Sequence, residues 1–324
     1  MKKLKKIAAA ALAVLMVLAM SACGEKKAED DTYTVGICQL VQHDALDAAT
    51  KGFRDALTAK LGDKVKFNEQ NASGEKTNCT TIISQFVSSK VDLIMANATD
   101  SLVAAVAATE DIPIVGTSIT DYATALQIDN WTGTTGMNVT GTADLAPLKE
   151  QAAMVKELCP DAKTVGILYC SNEANSKYQA DIMKAELSAL GYTCKVYTFV
   201  DTNDVTAVTQ TAVSDSDVLY IPTDNTAASN TEAINNITEP AGIPVFTGEE
   251  GICKGCGIAT LSISYYDIGY RAGELAYKIL KEGGRPENMP IEYSTELTKK
   301  YVAKRTEALN ITVHDGYEAI VIAE

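Results

Sequence analysis

Hydroxyl, amide and carboxylate side chains recur directly after short apolar runs along this chain of 324 residues. In the first half they are Gln39, Gln42, His43 and Asp44, then Asn71 to Ser73, then Asn97 and Thr99, then Thr117, Ser118 and Thr120. In the second half they are Ser171, Asn172, Glu173 and Asn175, then Thr223, Asp224 and Asn225, then Glu249 and Glu250. Such groups can meet each polar atom of a small molecule taken out of water, which desolvation makes obligatory. They do not compose a catalyst. There is no GxSxG elbow, no GxxxxGK[ST] loop, no GxGxxG opening a helix after the first strand and no HExxH. His43 and His314 lie far apart in the chain, which leaves a Ser-His-Asp device to chance, and no His, Cys, Asp or Glu set has metal-ligand spacing. The expected chemistry is binding without bond breaking: no enzyme, no cofactor and no metal.

The competing account of each residue is helix capping, because Ser, Thr, Asn and Asp are the preferred N-caps and loops from strand to helix need them. Asp224 is the strongest candidate for ligand contact, since Thr223 or Asn225 could cap in its place. His43 could stack on or hydrogen-bond a ligand, or sit exposed in its loop. Core packing is the default for Tyr265, Tyr266 and Tyr270, and hinge packing for Trp131.

The elements that must position these residues repeat. TVGI at residues 34–37 returns at residues 164–167, and the segments after the two copies correspond. After the first come a helix over DALDAATKGFRDALTAKL stopped by Gly62, a strand KVKFNEQNA, a helix TNCTTIISQFVSSK, a strand VDLIMAN, a helix SLVAAVAATED and a strand IPIVGTS. After the second come the strand TVGILYC, a helix ending at Gly191, a strand TCKVYTFV, a helix from Asp204 to Val213, a strand DVLYIPT, a helix from Thr226 to Asn236 and a strand IPVFTGE. Asp92 falls against Asp217 and Ile112-Pro113 against Ile243-Pro244. The pattern predicts an α/β fold of two similar Rossmann-like lobes with parallel sheets.

In an open parallel sheet, ligands sit outside the carboxyl ends of the strands. One lobe offers half a cleft, whereas two that face each other can close over a solute by hinge motion.

The stretches QLVQHDALDAATKGF, GMNVTGT, VGILYCSNEANSKYQ, YIPTDNTAAS and GIATLSISYYDIGYRAGELAYKIL resemble the substrate-binding lipoproteins of bacterial ABC transporters with the type I periplasmic-binding fold. The similarity is to the subfamily that includes tryptophan- and tyrosine-binding members, and it covers nearly the whole chain after the leader. It implies a monomer that captures a small amino-acid-like ligand, aromatic by preference, and delivers it to ABC permease subunits. A carboxylate and an ammonium would each need partners on desolvation. Asn97, Thr99, Ser118 and Thr120 suit the carboxylate, and Asp224 suits the ammonium. A sensor subunit of a receptor or chemotaxis system would use the same ligand chemistry, and a hydrolytic α/β enzyme is the more distant alternative. With a three-strand hinge near Trp131–Asn138, Ala259–Ser264 and Tyr293–Leu297, residues 33–137 plus 264–295 form lobe 1 and 138–263 plus 296–324 form lobe 2.

The leader itself is MKKLKK followed by an apolar run of fourteen and then Ser21, Ala22 and Cys23. That is an export signal, too short for a spanning helix, and its end resembles the lipobox at which residues 1–23 are processed and Cys23 is lipidated. Residues 24–32 then form a polar tether, and the body is anchored by lipid to the outer face of the cell membrane. The chain carries a net charge of −14. Without the four leader lysines the balance is 24 basic against 42 acidic residues, which excludes nucleic acid or an anionic lipid surface as a partner bound through a basic patch. Of eight cysteines, seven remain after Cys23, and their place in apolar strands suggests buried free thiols. Cys253 and Cys256 form a CxxC without a second ligand pair, which makes a structural role the expectation.

Overall fold

The computed structural model describes residues 32–294 and 296–322. The leader, Cys23 and all of the tether but Thr32 lie outside the described residues.

The strands are β1 (Tyr33–Gln39), β2 (Val65–Asn71), β3 (Leu93–Asn97), β4 (Ile114–Ile119), β5 (Val139–Ala143), β6 (Thr164–Cys170), β7 (Thr193–Phe199), β8 (Val218–Ile221), β9 (Val245–Thr247), β10 (Ala259–Ser262), β11 (Glu292–Tyr293), β12 (Thr298–Tyr301) and β13 (Glu318–Ala319). The helices between them are α1 (Asp44–Leu61), α2 (Lys76–Ser89), α3 (Thr99–Ala108), α4 (Tyr122–Leu126), α5 (Leu148–Leu158), α6 (Ala174–Ala189), α7 (Val205–Asp215), α8 (Asn225–Ala228), α9 (Thr231–Ala241), α10 (Glu250–Cys256), α11 (Tyr265–Glu282) and α12 (Ala303–Ala308). One sheet runs β11-β5-β4-β3-β1-β2 and the other β13-β12-β10-β9-β8-β6-β7. Within them, β5-β4-β3-β1-β2 and β10-β9-β8-β6-β7 are the same order built twice, all parallel. The edges differ, since β11 joins the first sheet parallel and β12 joins the second antiparallel.

The TVGI echo has a physical basis. The Asp92 carboxylate accepts from the Thr34 N–H at 2.7 Å, and the Asp217 carboxylate accepts from the Lys163 and Thr164 N–H groups at 2.9 Å each. Each aspartate thus pins the first residue of its TVGI strand to the neighbouring strand. The glycine of each copy sits where helix or loop side chains press on the sheet. A Cβ on Gly36 would lie 2.6 Å from the Phe86 ring, and one on Gly166 would lie 2.5 Å from Ser216 Oγ.

Apolar clusters cover both faces of each sheet. In the first lobe Ile83, Phe86, Leu102 and Tyr122 pack on one face, and Phe53, Leu57 and Leu275 pack on the other. In the second lobe Val155, Met183 and Leu187 cover one face, and Phe199, Val213 and Ile234 the other. Helices α1 and α11 lie against each other so closely that a Cβ on Gly269 would meet Ala49 O at 2.0 Å and one on Gly52 would meet Tyr266 O at 2.1 Å.

Three expectations change. Val139–Ala143 belongs to the first sheet, because Ile114 pairs with Val139 and Val115 with Thr140. The first crossing between lobes therefore follows Ala143, not residue 137, and Trp131 packs on the core of lobe 1. The other crossings lie between β10 and α11 and between β11 and β12. Lobe 1 then holds 33–143 with 265–293, and lobe 2 the sheet and helices from α5 to β10 with β12 and β13. The helix expected from Thr226 to Asn236 is two helices, α8 and α9, separated by Ser229 and Asn230. The CxxC segment is itself helix α10, whose last carbonyls are gathered by Arg305: its guanidinium donates to the Gly255, Lys254 and Gly257 oxygens at 2.6, 3.0 and 3.1 Å. Among the described residues no helix is long and apolar enough to cross a membrane.

Candidate functional site

The carboxyl ends of the first sheet place four polar residues in one register row: Asn71 beside Gln39, Gln39 beside Asn97, and Asn97 beside Thr117. β1 and β3 are adjacent although β2 intervenes in sequence, so Gln39 and Asn97 stand where the strand order reverses, the usual ligand position in such sheets. Gln39 is fixed by Asp47 and by the Thr50 hydroxyl, at 2.6 Å each. Asn97 donates to Leu46 O and Thr50 Oγ1 at 2.9 and 3.0 Å, while its own Oδ1, wholly buried, has no partner among the described residues. The buried Ser118 Oγ has none either.

Strain collects at the same ends. Ser73, Ala98 and Ser118 have φ of 55°, 84° and 57°, in the left-handed region that side chains avoid. They follow β2, follow β3 and lie within β4, and each turns the chain sharply at the rim. Strain of this kind collects at ligand clamps, held in place by the surrounding fold. Ala98 is anchored through its N–H to Thr117 O at 3.1 Å.

In the second lobe one carboxylate organises the rim. Glu173 Oε1 accepts from the Thr226 N–H and hydroxyl at 2.8 Å each, and Oε2 accepts from the Asn225 N–H at 2.9 Å, the Asn225 amide at 2.7 Å and the Asn175 amide at 3.2 Å. Because the Asn225 amide nitrogen is committed to Glu173, its Oδ1 faces His43 Nε2 at 3.2 Å. His43 Nε2 must then carry the proton, which leaves Nδ1 an acceptor. That nitrogen is buried and has no partner among the described residues. Burial lowers the His43 pKa, against the pull of Asn225 and of Glu173, Asp47 and Asp44, so the ring is neutral.

Asp224 is the N-cap of α8. Its Oδ1 accepts from Ala227 N–H and its Oδ2 from Cys170 N–H, both at 2.7 Å. The expectation that Thr223 or Asn225 caps instead is not met, for the Asp224 side chain ties β6 to the α8 loop, and burial with the nearby Glu173 raises its pKa to about 8. Glu249 likewise caps α10, accepting from Gly251 and Ile252 N–H, and burial raises it to about 7. Ser264 caps α11 through Asp267 N–H at 3.2 Å.

The lobes touch across the cleft. Lys76 Nζ donates to Asn172 O at 2.8 Å, Lys254 Nζ meets Asp44 at 2.8 Å, and Gln179 Nε2 donates to Thr120 Oγ1 at 3.3 Å. Between them lies a cavity of about 380 Å³, lined by Leu40, Val41, Ser73, Lys76 and Asp100 of lobe 1 and by Asn172, Glu173, Val200 and Asn225 of lobe 2. That volume suits a small ligand. Burial raises the Asp100 pKa, although Lys76 lies 3.1 Å away and opposes it.

Of the predicted site residues, Asn97, Thr99, Ser118, Thr120, Glu173 and Asp224 are buried, and of these Glu173 is the one that lines the cavity between the lobes. Asn175, Thr223, Asn225 and His43 are half-buried beside them, while Ser73, Ser171 and Asn172 are exposed on the rim. Gln42, His43, Asp44 and Glu249 border a separate hollow with Lys254 and Gly255. Sequence reasoning missed Gln179, Lys76, Asp144 and Tyr265. Gln179 and Lys76 sit within helices, where a polar residue reads as surface. Asp144 and Tyr265 come after β5 and β10, the fifth pair of strands, which lies beyond the matched motifs of the repeat.

Two duplicated α/β lobes, three crossings and a polar cleft between strand ends define a two-lobed solute receptor of the type I periplasmic-binding fold. The chain belongs to the family of ABC transporter substrate binding proteins, whose pattern matches residues 34–319. It is 37% identical over 260 residues to the tyrosine-binding protein of Clostridioides difficile, covering 79% of this chain and 75% of that one. It superposes with a TM-score of 0.85 at 28% identity on the ABC domain in complex with L-Trp from Streptococcus pneumoniae, covering 89% of this chain and all of the other. A ligand-free, open substrate binding protein with adhesive properties from Clostridium difficile, 33% identical and covered in full by 90% of this chain, gives a TM-score of 0.69. The relative with the higher identity thus superposes less well.

Proposed function

We propose that this protein is the extracytoplasmic receptor of an ABC importer, anchored by lipid on Cys23, and that it captures an aromatic amino acid by closing its two lobes. The observation that carries the reading is that three buried polar atoms at the carboxyl ends of β3 and β4 and just after β1, Asn97 Oδ1, Ser118 Oγ and His43 Nδ1, have no partner among the described residues. Buried acceptors and hydroxyls left unpaired are expensive, and a ligand bearing donors and acceptors relieves them. Ser118 and Thr120, with N–H groups at the strained turns, would take the ligand carboxylate. Asn97 Oδ1, His43 Nδ1 and the Glu173 carboxylate would form the electronegative side for the ammonium, and Asp224, which keeps its proton to about pH 8, would offer an acceptor there without a charge. Leu40, Val41 and Val200 give the cavity the apolar surface that an aromatic ring needs. The ligands of the relatives, tyrosine and L-Trp, support the class.

The test is a thermal-shift screen of residues 33–324 against the twenty amino acids and common nucleosides, followed by calorimetry. A true ligand at a hundred times its dissociation constant stabilises by about 2.7 kcal/mol. Tyrosine or tryptophan should shift melting most, and a screen in which only nucleosides or sugars do so overturns the amino-acid reading.

A further inference from the structure

The cleft and the crossings are joined by one string of hydrogen bonds. Asp144 directly follows β5 in the first crossing, is 3% exposed, and is held by two hydroxyl groups. Its Oδ1 accepts from the Thr120 hydroxyl at 3.0 Å and its Oδ2 from the Tyr265 hydroxyl at 2.8 Å. Tyr265 opens α11, just beyond the second crossing, and is buried as well. Asp144 therefore ties the first crossing to the second. Thr120, having given its proton to Asp144, can only accept from a third partner, and that partner is Gln179 of lobe 2, at 3.3 Å. Gln179 is itself held by Thr223: its Oε1 accepts from the Thr223 N–H and its Nε2 donates to Thr223 O, both at 3.2 Å.

Each link is directional. If Asp144 did not take the Thr120 proton, that hydroxyl would be free to turn its hydrogen toward the Gln179 amide, which has Asn175 O and Thr223 O as its other acceptors at 3.2 Å each, and the contact between the lobes would be the one lost. The Gln179 contact spans the lobes, so it exists only while they are closed. The carboxylate at the hinge thereby decides which way a hydroxyl in the cleft wall points.

We propose that Asp144, held by Tyr265, is the positioning residue that links lobe closure to the cleft, by fixing the Thr120 hydroxyl as an acceptor for Gln179. The proposal rests on capture by lobe closure, and its test separates the two. Asp144→Asn, Tyr265→Phe, Thr120→Val and the double variant Tyr265→Phe with Thr120→Val are compared with wild type. Small-angle scattering without ligand reads the balance of open and closed forms, independently of what the ligand is. Stopped-flow binding of L-tyrosine and L-tryptophan reads on- and off-rates. Tyr265→Phe removes one oxygen atom and is expected to fold.

The expected result is a larger radius of gyration without ligand for Asp144→Asn and Tyr265→Phe. An affinity loss of about tenfold, mostly in the off-rate, should accompany it, as for losing a hydrogen bond at a buried site. Tyr265→Phe and Thr120→Val should lose less together than the product of their single effects, because they act on one string. Scattering profiles identical to wild type, or independent single effects, overturn the proposal even if both amino acids bind tightly. If neither binds wild type while the scattering shift appears, the ligand assignment fails and the hinge link stands.

Discussion

Glu173→Gln tests how the rim of lobe 2 is built. The carboxylate meets five donors at 2.7 to 3.2 Å, with backbone N–H groups among the donors on each oxygen. Glutamine keeps the shape but turns one oxygen into an NH₂ group that cannot accept. Whichever end carries it, a backbone N–H of Asn225 or Thr226 loses its acceptor at a site where the residue is only 6% exposed. A hydrogen bond to a charged group is worth about 1.5 to 3 kcal/mol, and with the weakened neutral bonds that remain the loss should be about 2 to 4 kcal/mol. Urea unfolding at pH 7 without ligand measures it as a lower midpoint at unchanged slope. The same change frees the Asn225 amide to turn over. Long-range proton–nitrogen NMR of the imidazole should show wild-type His43 protonated on Nε2, and a mixture of tautomers in the variant. A stability change below about 0.5 kcal/mol, smaller than an ordinary neutral hydrogen bond, or a wild-type ring protonated on Nδ1, would refute the chain of contacts from Glu173 through Asn225 to His43.

Other expectations are more direct. Asp224 and Glu249 hold their protons to about pH 8 and 7, above their values in an unfolded chain, so the stability they confer is full at about pH 4 and is lost as pH rises through 7 to 8; urea melts from pH 5 to 9 should show this, and Asp224→Asn should flatten the upper part. Gly36→Ala drives a Cβ to 2.6 Å from a fully buried Phe86 ring and should destabilise by about 1 to 3 kcal/mol in a urea melt, more than Gly166→Ala, whose Cβ meets a hydroxyl and a leucine tip. Lys254→Met removes a contact to Asp44 whose partners are 46% and 63% exposed, so ligand affinity by calorimetry should change less than about threefold. Burial raises the Cys170 and Cys256 thiols to about 11 and 12, so an aromatic disulfide reagent at pH 8 should label both slowly in the folded protein and at once in urea.

The duplication was legible because its signals are local. Apolar runs, the glycine in each TVGI and the two matched aspartates survive in single residues, and the structure gives Asp92 and Asp217 the same task. The first crossing was not legible. Val139–Ala143 reads as a strand but nothing in it says which sheet it joins; only its pairing with β4 decides. Ser and Thr at strand ends could be named, yet whether each caps, binds or does both depends on partners remote in sequence. Asp224 shows the difficulty, since its capping bond is local to Ala227 while its other bond reaches back to Cys170. The thiols followed the simple reading: Cys38, Cys79, Cys170, Cys253 and Cys256 are buried and unbonded, with Cys159 and Cys194 half-buried.

The glycine seam between α1 and α11 bears on how such a molecule moves. With Gly52, Gly269 and Gly273 letting backbones touch, the two helices cannot slide past each other without a collision of main chains. One begins at Asp44, with His43 at its N-cap position, and the other at Tyr265 beside the second crossing, so a tug on either is felt at the other as if through a welded joint. Lobe 1 then swings as a single plate, and all the bending is left to the narrow ribbons where the chain passes between plates. Loops at the rim can be rewritten for a new cargo without loosening that joint.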